Sequence, residues 1–316
     1  MELISSKLNV DFLGKKYFAF FLSAIMIGLS VYTWIDIGDA KYGIDYKGGH
    51  EIIVKTEAGI TSEGIRKALS DGGVENSVVQ SFEAGSSEFA IRLGGQATEE
   101  GSGLDESKKV RESITNALGS AFPGKVEIIK TDFVGPTIGK ELCKKALVAV
   151  VIGLIGILGY ITFRFEFAFA LGAVAALFHD VIVSMGIYLL CGFSISVATL
   201  AAALTIVGYS VNDTIIVFDR MREEIFKQKN YELVDLMNRS INSTLSRTVI
   251  TSLLTLFSAL ALLIFGGGAI ADLSLFLVVG VITGTYSTIF IASPVALAWE
   301  NFRNPVKADE LATESK

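Results

Sequence analysis

The sequence predicts an α-helical polytopic membrane protein: six transmembrane helices, with one α+β domain inserted between helices 1 and 2. Three observations predict it. Hydrophobic residues make up 51% of the 316 and charged residues 19%, whereas a soluble domain carries about a quarter charged. The apolar residues gather in six windows, each close to the roughly 20 residues that cross a hydrocarbon core. Residues 36–142, between the first two windows, read instead as soluble sequence with turn signals and short amphipathic segments.

The first window runs from Tyr17 to Ile35, the second from Ala146 to Phe163 and the third from Phe167 to Leu190. The fourth runs from Ile195 to Phe218, the fifth from Thr248 to Phe265 and the sixth from Leu273 to Trp299. Windows three and four carry His179, Asp180 and Asp213, too polar for lipid on every side, so both belong inside a bundle. The lysines ahead of the first window (Lys7, Lys15, Lys16) also suit a secretory signal peptide. The run is longer than a signal core, and the one cleavage-like site is Gly38-Asp39-Ala40, so it is read as a span.

Orientation follows the basic residues. Lys7, Lys15 and Lys16, then Arg164, then Arg220, Arg222, Lys227, Lys229 and Arg239, then Arg303 and Lys307 fall on one side of six alternating spans. Lys140, Lys144 and Lys145 dissent and are outvoted. The division is a cytoplasmic N-terminus (1–16), helix 1 (17–35), an extracytoplasmic domain (36–142), and a five-helix bundle (143–300). A cytoplasmic loop at 219–245 interrupts the bundle, and a cytoplasmic tail (301–316) follows it.

Within the domain, His50–Thr56 alternates as a strand. Thr61–Ser70 is helical, with Thr61 as N-cap and Gly72-Gly73 as the stop. Asn76–Phe82 and Ser87–Leu93 are strands joined by Glu83-Ala84-Gly85-Ser86. A Gly-rich loop (Gly94–Gly103) leads to a helix at Asp105–Leu118 and a strand at Lys125–Val134. The order β-α-β-β-α-β predicts a ferredoxin-like sheet with helices on one face, a fold that fixes no function. No nucleophile–base couple and no phosphate loop is visible, so a binding or docking surface is expected, and no enzyme. The link Gly43-Ile44-Asp45-Tyr46-Lys47-Gly48-Gly49 reads as a turn or hinge with Gly43, Asp45, Gly48 and Gly49 as its marked positions, or as a plain connector.

The net charge of −6 (27 basic against 33 acidic residues) comes with no basic stripe, so no nucleic-acid partner is expected. Two cysteines, Cys143 and Cys191, and two histidines, His50 and His179, form no CxxC or HExxH. No metal and no cofactor are expected. A Cys143–Cys191 disulfide stays open beside two unpaired thiols.

Asp213 is the most informative residue. Charge at mid-membrane costs about 2.5–3.5 kcal/mol on insertion scales, so the side chain must be neutral, paired or hydrated. Tyr209 and Ser210 lie on its face of the helix and, with Asn212, make a polar stripe. Arg247, opening the fifth window, is the candidate partner at similar depth, beside a seam of Thr244, Thr248, Thr251 and Thr255. A hydrogen-bonded clasp for Asp213, a snorkelling Arg247 and a structural His179–Asp180 couple remain open. Burial favours a neutral acid and a guanidinium favours the carboxylate, so moving Arg247 would switch Asp213 between holding and releasing a proton. Each proton falling through the membrane potential supplies about 2.3 kcal/mol per 100 mV. The candidate proton pathway is Asp213 and Arg247, extended by Asp180, His179, Asn212, Ser210 and Thr248.

Several runs resemble the SecD/SecF family of bacterial protein-export membrane proteins. They are Val207-Gly208-Tyr209-Ser210-Val211-Asn212-Asp213-Thr214 through Arg220, Ser240-Ile241-Asn242-Ser243-Thr244-Leu245-Ser246-Arg247-Thr248, and Gly43–Gly49. Phe178-His179-Asp180, Gly284-Thr285-Tyr286-Ser287 and Ala292-Ser293-Pro294 complete the set. Tyr46 stands where Phe is usual, and His50 where a small or hydroxyl residue is. The resemblance implies membership of the resistance-nodulation-division superfamily of proton-driven machines. It implies pairing with a SecD-like subunit, association with the SecYEG channel in the cell inner membrane, and help to the export of unfolded polypeptides. It places the family's proton-pathway Asp and Arg at Asp213 and Arg247. The rival readings are half of a proton-driven small-molecule exporter, which expects two six-span halves, and a passive scaffold, which leaves Asp213 and Arg247 without a purpose.

Overall fold

The structure is a computed structural model and describes residues 9–74, 77–81, 87–94, 103–227 and 232–303. Helix α1 (Lys16–Asp36) leads through a short helix, α2 (Ile44–Lys47), into the domain. There follow β1 (Gly49–Thr56), α3 (Ser62–Asp71), β2 (Ser77–Ser81), β3 (Glu88–Gly94), α4 (Gly103–Ala121) and β4 (Val126–Val134). The bundle continues with α5 (Pro136–Arg164), α6 (Phe167–Leu190), α7 (Val197–Lys227), α8 (Leu233–Phe265), α9 (Gly268–Ser287) and α10 (Ser293–Arg303). Six stretches among these are long and apolar enough to cross a membrane.

The four strands form one sheet in the order β2-β3-β1-β4, every neighbour antiparallel. With the two helices between strands, this is the ferredoxin-like arrangement. Thr61 caps α3 as expected, its hydroxyl accepting from Gly64 N at 3.2 Å. The turn at 83–86, the ends of the second strand at Asn76 and Phe82, and most of the Gly94–Gly103 loop lie outside the described residues.

The sheet is buried on both faces. Ile52, Val54, Phe89 and Ile91 point to α3 and α4, against Ile65, Leu69, Ile114 and Leu118. Ile53 and Ala90 point the other way and join the core of the bundle beside Tyr188, Phe193, Ile195, Ile206 and Phe276. The run Ile52-Ile53-Val54 therefore has no polar partner position: successive strand residues face opposite sides, and both sides are apolar. Expecting cover on one face alone missed the bundle beneath the other.

The helices outrun the windows read from the sequence. α5 starts at Pro136, ten residues before Ala146, because Pro suits the first helical turn and a Lys145–Glu141 pair at 2.8 Å supports its polar opening. That start brings 136–142, assigned to the domain, into the bundle. α7 runs on to Lys227 and α8 begins at Leu233, so most of the loop expected at 219–245 is helix. Its charged residues pair along the helix, as Arg220 does with Glu223 (2.9 Å) and Glu224 (3.1 Å), while Asn238, Ser240 and Asn242 are buried. Beyond Arg303 the tail lies outside the described residues.

α6 and the chain from α9 to α10 occupy the middle, while α5 and α8 turn most of their apolar surface outward, as lipid-facing helices must. Close packing at the centre rests on small residues. A Cβ on Gly186 would lie 2.5 Å from Ser30 Cα of α1, and one on Gly280 would lie 2.4 Å from the Ile206 side chain of α7. Between α9 and α10 the chain widens into a π-turn at Thr288–Ala292. Pro294 has no N–H to continue the ladder, and Ser293 Oγ donates to Thr288 O at 3.1 Å.

Candidate functional site: carboxylates buried in the helix bundle

Asp213 lies near the middle of α7, about 24 Å from its first residue at 1.5 Å per residue, and is 1% exposed. Its one hydrogen bond among the described residues is a long contact, 3.4 Å, from Ser252 Oγ of α8. Ser252 also receives Thr285 Oγ1 of α9 at 2.8 Å and a long contact from Tyr209 Oη at 3.5 Å. One serine thus ties α7, α8 and α9 around a poorly satisfied carboxyl.

Arg247 does not form the expected ion pair. It is exposed, and among the described residues no salt bridge reaches Asp213. The reason is register. The position of α8 level with Asp213 is Ser252, five residues beyond Arg247. That is about 7.5 Å along the axis and well over a quarter-turn around it. The seam facing α7 and α9 is Thr244, Thr248 and Ser252, all buried. Thr251 and Thr255, expected on that seam, instead bond their own helix at Arg247 O and Thr251 O, each at 3.0 Å. Thr248 Oγ1 is buried without a partner among the described residues.

The stripe expected around Asp213 divides three ways. Asn212 points outward and is exposed. Tyr209 reaches Ser252. Ser210 turns to α6 and donates to Asp180 Oδ2 at 2.6 Å. Asp180, 0% exposed, also receives Ser287 Oγ of α9 at 2.8 Å and meets His179 Nδ1 at 3.1 Å. His179 is 3% exposed and packs its ring 5.8 Å from that of Tyr286; among the described residues its Nε2 has no partner.

The Gly43–Gly49 link fastens the domain to the bundle. Gly43 N donates to Ile195 O at 2.8 Å, and Asp45 Oδ2 accepts from Val197 N at 2.9 Å, satisfying an open N–H in the first turn of α7. Gly48 and Gly49 adopt φ of 74° and 133°, values that favour glycine, and swing the chain into β1. Burial, then the charges of neighbouring groups, push the Tyr46 phenol up to about 12. Above this link a cavity of about 370 Å³ separates sheet from bundle, lined by Glu51, Arg92, Asp132, Tyr188 and Asp272 among others. Arg92 pairs with Glu51 at 2.5 Å and Gln80 at 2.6 Å, and Tyr188 bonds to Asp272.

Sequence reasoning missed Ser252, Tyr188 and Asp272, and named Ser287 only within a family-like run, without a role. Ser252 continues the i, i+4 progression from Thr244 and Thr248, so it was legible. The other three take their partners across helices far apart in sequence. Cys143 and Cys191 are both free.

A six-helix bundle that buries two carboxylates between its central helices, with a folded domain seated on one end, defines a multi-pass membrane protein equipped to hold charge inside its spans. Residues 113–302 match the family described as "Protein export membrane protein SecD/SecF, C-terminal". The chain is 37% identical over 301 residues to the "Protein translocase subunit SecF" of Rickettsia felis, covering 95% of each chain. It is 40% identical over 302 residues to that of Thermodesulfovibrio yellowstonii, covering 94% of this chain and 97% of the relative. The solved structure of SecDF, "a translocon-associated membrane protein" from Thermus thermophilus, superposes with a TM-score of 0.81 at 35% identity, covering 95% of this chain. This chain spans 40% of that longer SecDF chain. The chain belongs to the SecD/SecF family of protein-export membrane proteins.

Proposed function

We propose that the chain is the SecF-type auxiliary subunit of the Sec protein translocase, a transport component and not an enzyme. In this reading it works beside a SecD-type partner in the bacterial inner membrane and draws on the proton gradient to promote export of unfolded polypeptides through SecYEG. The single observation that carries the reading is Asp213: an acid 1% exposed at the middle of a spanning helix, answered by one long serine contact. A carboxyl so placed exchanges its proton when its surroundings change. Arg247 and Asn212 are polar and exposed on the neighbouring faces of α7 and α8. Lipid does not tolerate them there, so this face receives the SecD-type partner, and closure of that contact carries Arg247 toward Asp213.

Both chain ends are placed in the cytoplasm and the sheet domain outside, as the basic residues indicate.

The test is Asp213→Asn, isosteric and unable to ionise. Export into vesicles bearing the complex is measured with and without an imposed proton gradient. The variant should assemble with its partner and lose the gradient-dependent component. Retention of that component would overturn proton coupling at Asp213.

A further inference from the structure

Asp180 and His179 are the most deeply buried titratable couple among the described residues, and the function above does not use them. Two hydroxyl donors from two helices converge on one oxygen of the carboxyl group, Ser210 of α7 and Ser287 of α9 on Oδ2, while His179 Nδ1 meets Oδ1 at 3.1 Å, as donor or acceptor according to its tautomer. An ionised carboxylate sealed in an apolar bundle requires a compensating positive charge, and the group within reach is the imidazole beside it. Its far nitrogen, Nε2, is buried with no acceptor or donor among the described residues.

Every protonation state of the couple leaves one group at a loss. With one proton shared, the couple is Asp⁻ with His⁺ or neutral acid with neutral imidazole, and its net charge is zero. The first form strands the Nε2–H. The second takes from the carboxyl the full charge that its two serine donors address. Removing the proton leaves a negative charge with no positive partner in the couple; adding one leaves a positive charge with no negative partner. A structural clasp would be expected to satisfy its members, as buried polar groups generally are. A couple that is satisfied in no single state is suited to change states.

We propose that His179 and Asp180 form a second proton-binding site, separate from Asp213, that takes one proton from water and returns it to water during the working cycle, with Ser210 reporting its state to α7. The proton enters onto the Asp180 carboxyl or His179 Nδ1 and leaves from the same atoms, so no other group changes its proton count. Ser210 donates to Asp180 and stands one turn before Asp213 on α7. Protonation of the couple weakens the hold on Ser210 and frees α7 to turn about the small-residue contact of Ser210 with Gly284.

The titratable and charged groups on the surrounding elements are few. α7 brings Asp213 and Tyr209, and α9 brings Tyr286, whose hydroxyl donates to Ala19 O at 2.8 Å and contacts Ser23 of α1 at 3.0 Å. α1 carries its own charges at its ends, at Lys16 and Asp36. Tyr188 lies about two turns further along α6 toward the sheet domain, bonded there to Asp272 of α9, and α10 keeps Glu300 and Arg303 in its last turns.

The inference rests on proton coupling by the family's machine, and the experiment separates the two. The full chain, in complex with its SecD-type partner in proteoliposomes, is followed by infrared difference spectroscopy across a pH jump, and proton-driven export is measured against pH. Wild type should show pH-dependent carboxyl and imidazole bands that change together. Asp180→Asn should lose that carboxyl component while keeping the one that Asp213→Asn removes, and should displace the pH profile of export. His179→Gln should shift the Asp180 band. Ser210→Ala, which leaves both members in place, should shift it too, and keeps the test available if Asp180→Asn does not assemble. Carboxyl and imidazole bands at this couple that stay unchanged across the working pH range would overturn the proposal. So would an unaltered pH profile in Asp180→Asn and His179→Gln. If Asp213→Asn instead keeps gradient-driven export, coupling at Asp213 fails, while the bands still decide whether the couple binds a proton.

Discussion

Ser210 and Asp213 stand three residues apart on α7 yet serve opposite neighbours: Ser210 donates to Asp180 of α6 at 2.6 Å, and Asp213 receives Ser252 of α8 at 3.4 Å. One helix therefore holds a tight polar contact on one side and a loose one on the other. Any rotation or slide of α7 strains the first before the second. The loose side is where a change of partner costs least, and it is the side on which Arg247 waits outside contact.

Ser252→Ala should expose that asymmetry. Removing the one hydroxyl near Asp213 leaves a buried carboxyl with no donor, at a cost of about 1–3 kcal/mol. It also releases Tyr209 and Thr285, which share the same oxygen. The variant should lose most gradient-dependent export and show a lower melting temperature in detergent. Thr251→Ala, one residue away, removes only bonds to its own helix and should alter neither. Equal effects from the two would refute the placement of the seam.

The contrast shows how far the sequence could be read. The spans were legible because apolar windows of membrane length have few alternatives, and α6 begins and ends at the residues read from the sequence. The strand and helix order of the domain followed from turn chemistry. Helix ends were not legible where a helix leaves the membrane: nothing in local composition distinguishes the polar start of α8 from a loop. Asp213, His179 and Asp180 stood out because ionisable groups in lipid demand an explanation. Their partners did not, since Ser287 reaches Asp180 across 107 positions and the depth of Arg247 depends on the register of two helices. Periodicity fixes a face but not an axial offset between neighbours.

Asp45→Ala should loosen the domain from the bundle. The substitution removes the acceptor of Val197 N–H at the start of α7, worth about 1 kcal/mol as a helix cap. Tyr188→Phe should add to it, because the Tyr188 hydroxyl meets Asp272 and Thr199 at the same junction. Hydrogen exchange should quicken at residues 41–49 and 194–200 in both variants, with protection of α3 unchanged. Faster exchange throughout the sheet would instead mean that the domain itself had lost stability.

Gly186→Val tests the close approach of α1 to α6. A Cβ there would lie 2.5 Å from Ser30 Cα, a backbone atom that cannot move aside alone. The two helices must separate, and overpacking of this kind costs about 1–3 kcal/mol. The purified variant should melt at lower temperature and lose α1 contacts, read as reduced crosslinking between cysteines placed at Ser30 and Gly186 neighbours. Gly28→Val, on α1 with open space around it, should leave the melting temperature near that of wild type.

The last prediction concerns the strap of residues 10–13, which lies across the start of α8. Asn242 accepts from Val10 N at 3.0 Å and donates to Val10 O at 2.9 Å. Asn238 accepts from Phe12 N and Leu13 N at 3.0 and 3.1 Å and donates to Asp11 Oδ1 at 2.9 Å. Two asparagines one turn apart thus bond the strap as a neighbouring strand would, and fix α1 to the helix that carries Arg247. The Gly14 N–H, then the Asn238 amide, hold the Asp11 carboxyl below its ordinary value. A lowered folded-state value means the contribution is complete above the ordinary carboxylate range and is lost as pH falls through the lowered value. Proteolysis within residues 9–15 should therefore quicken on acidification in wild type. Asn238→Ala should quicken it at neutral pH and flatten the dependence, since the strap has already lost its anchor. A strap equally protected in Asn238→Ala and wild type at both pH values would show that α1 and α8 are joined by something other than these asparagines.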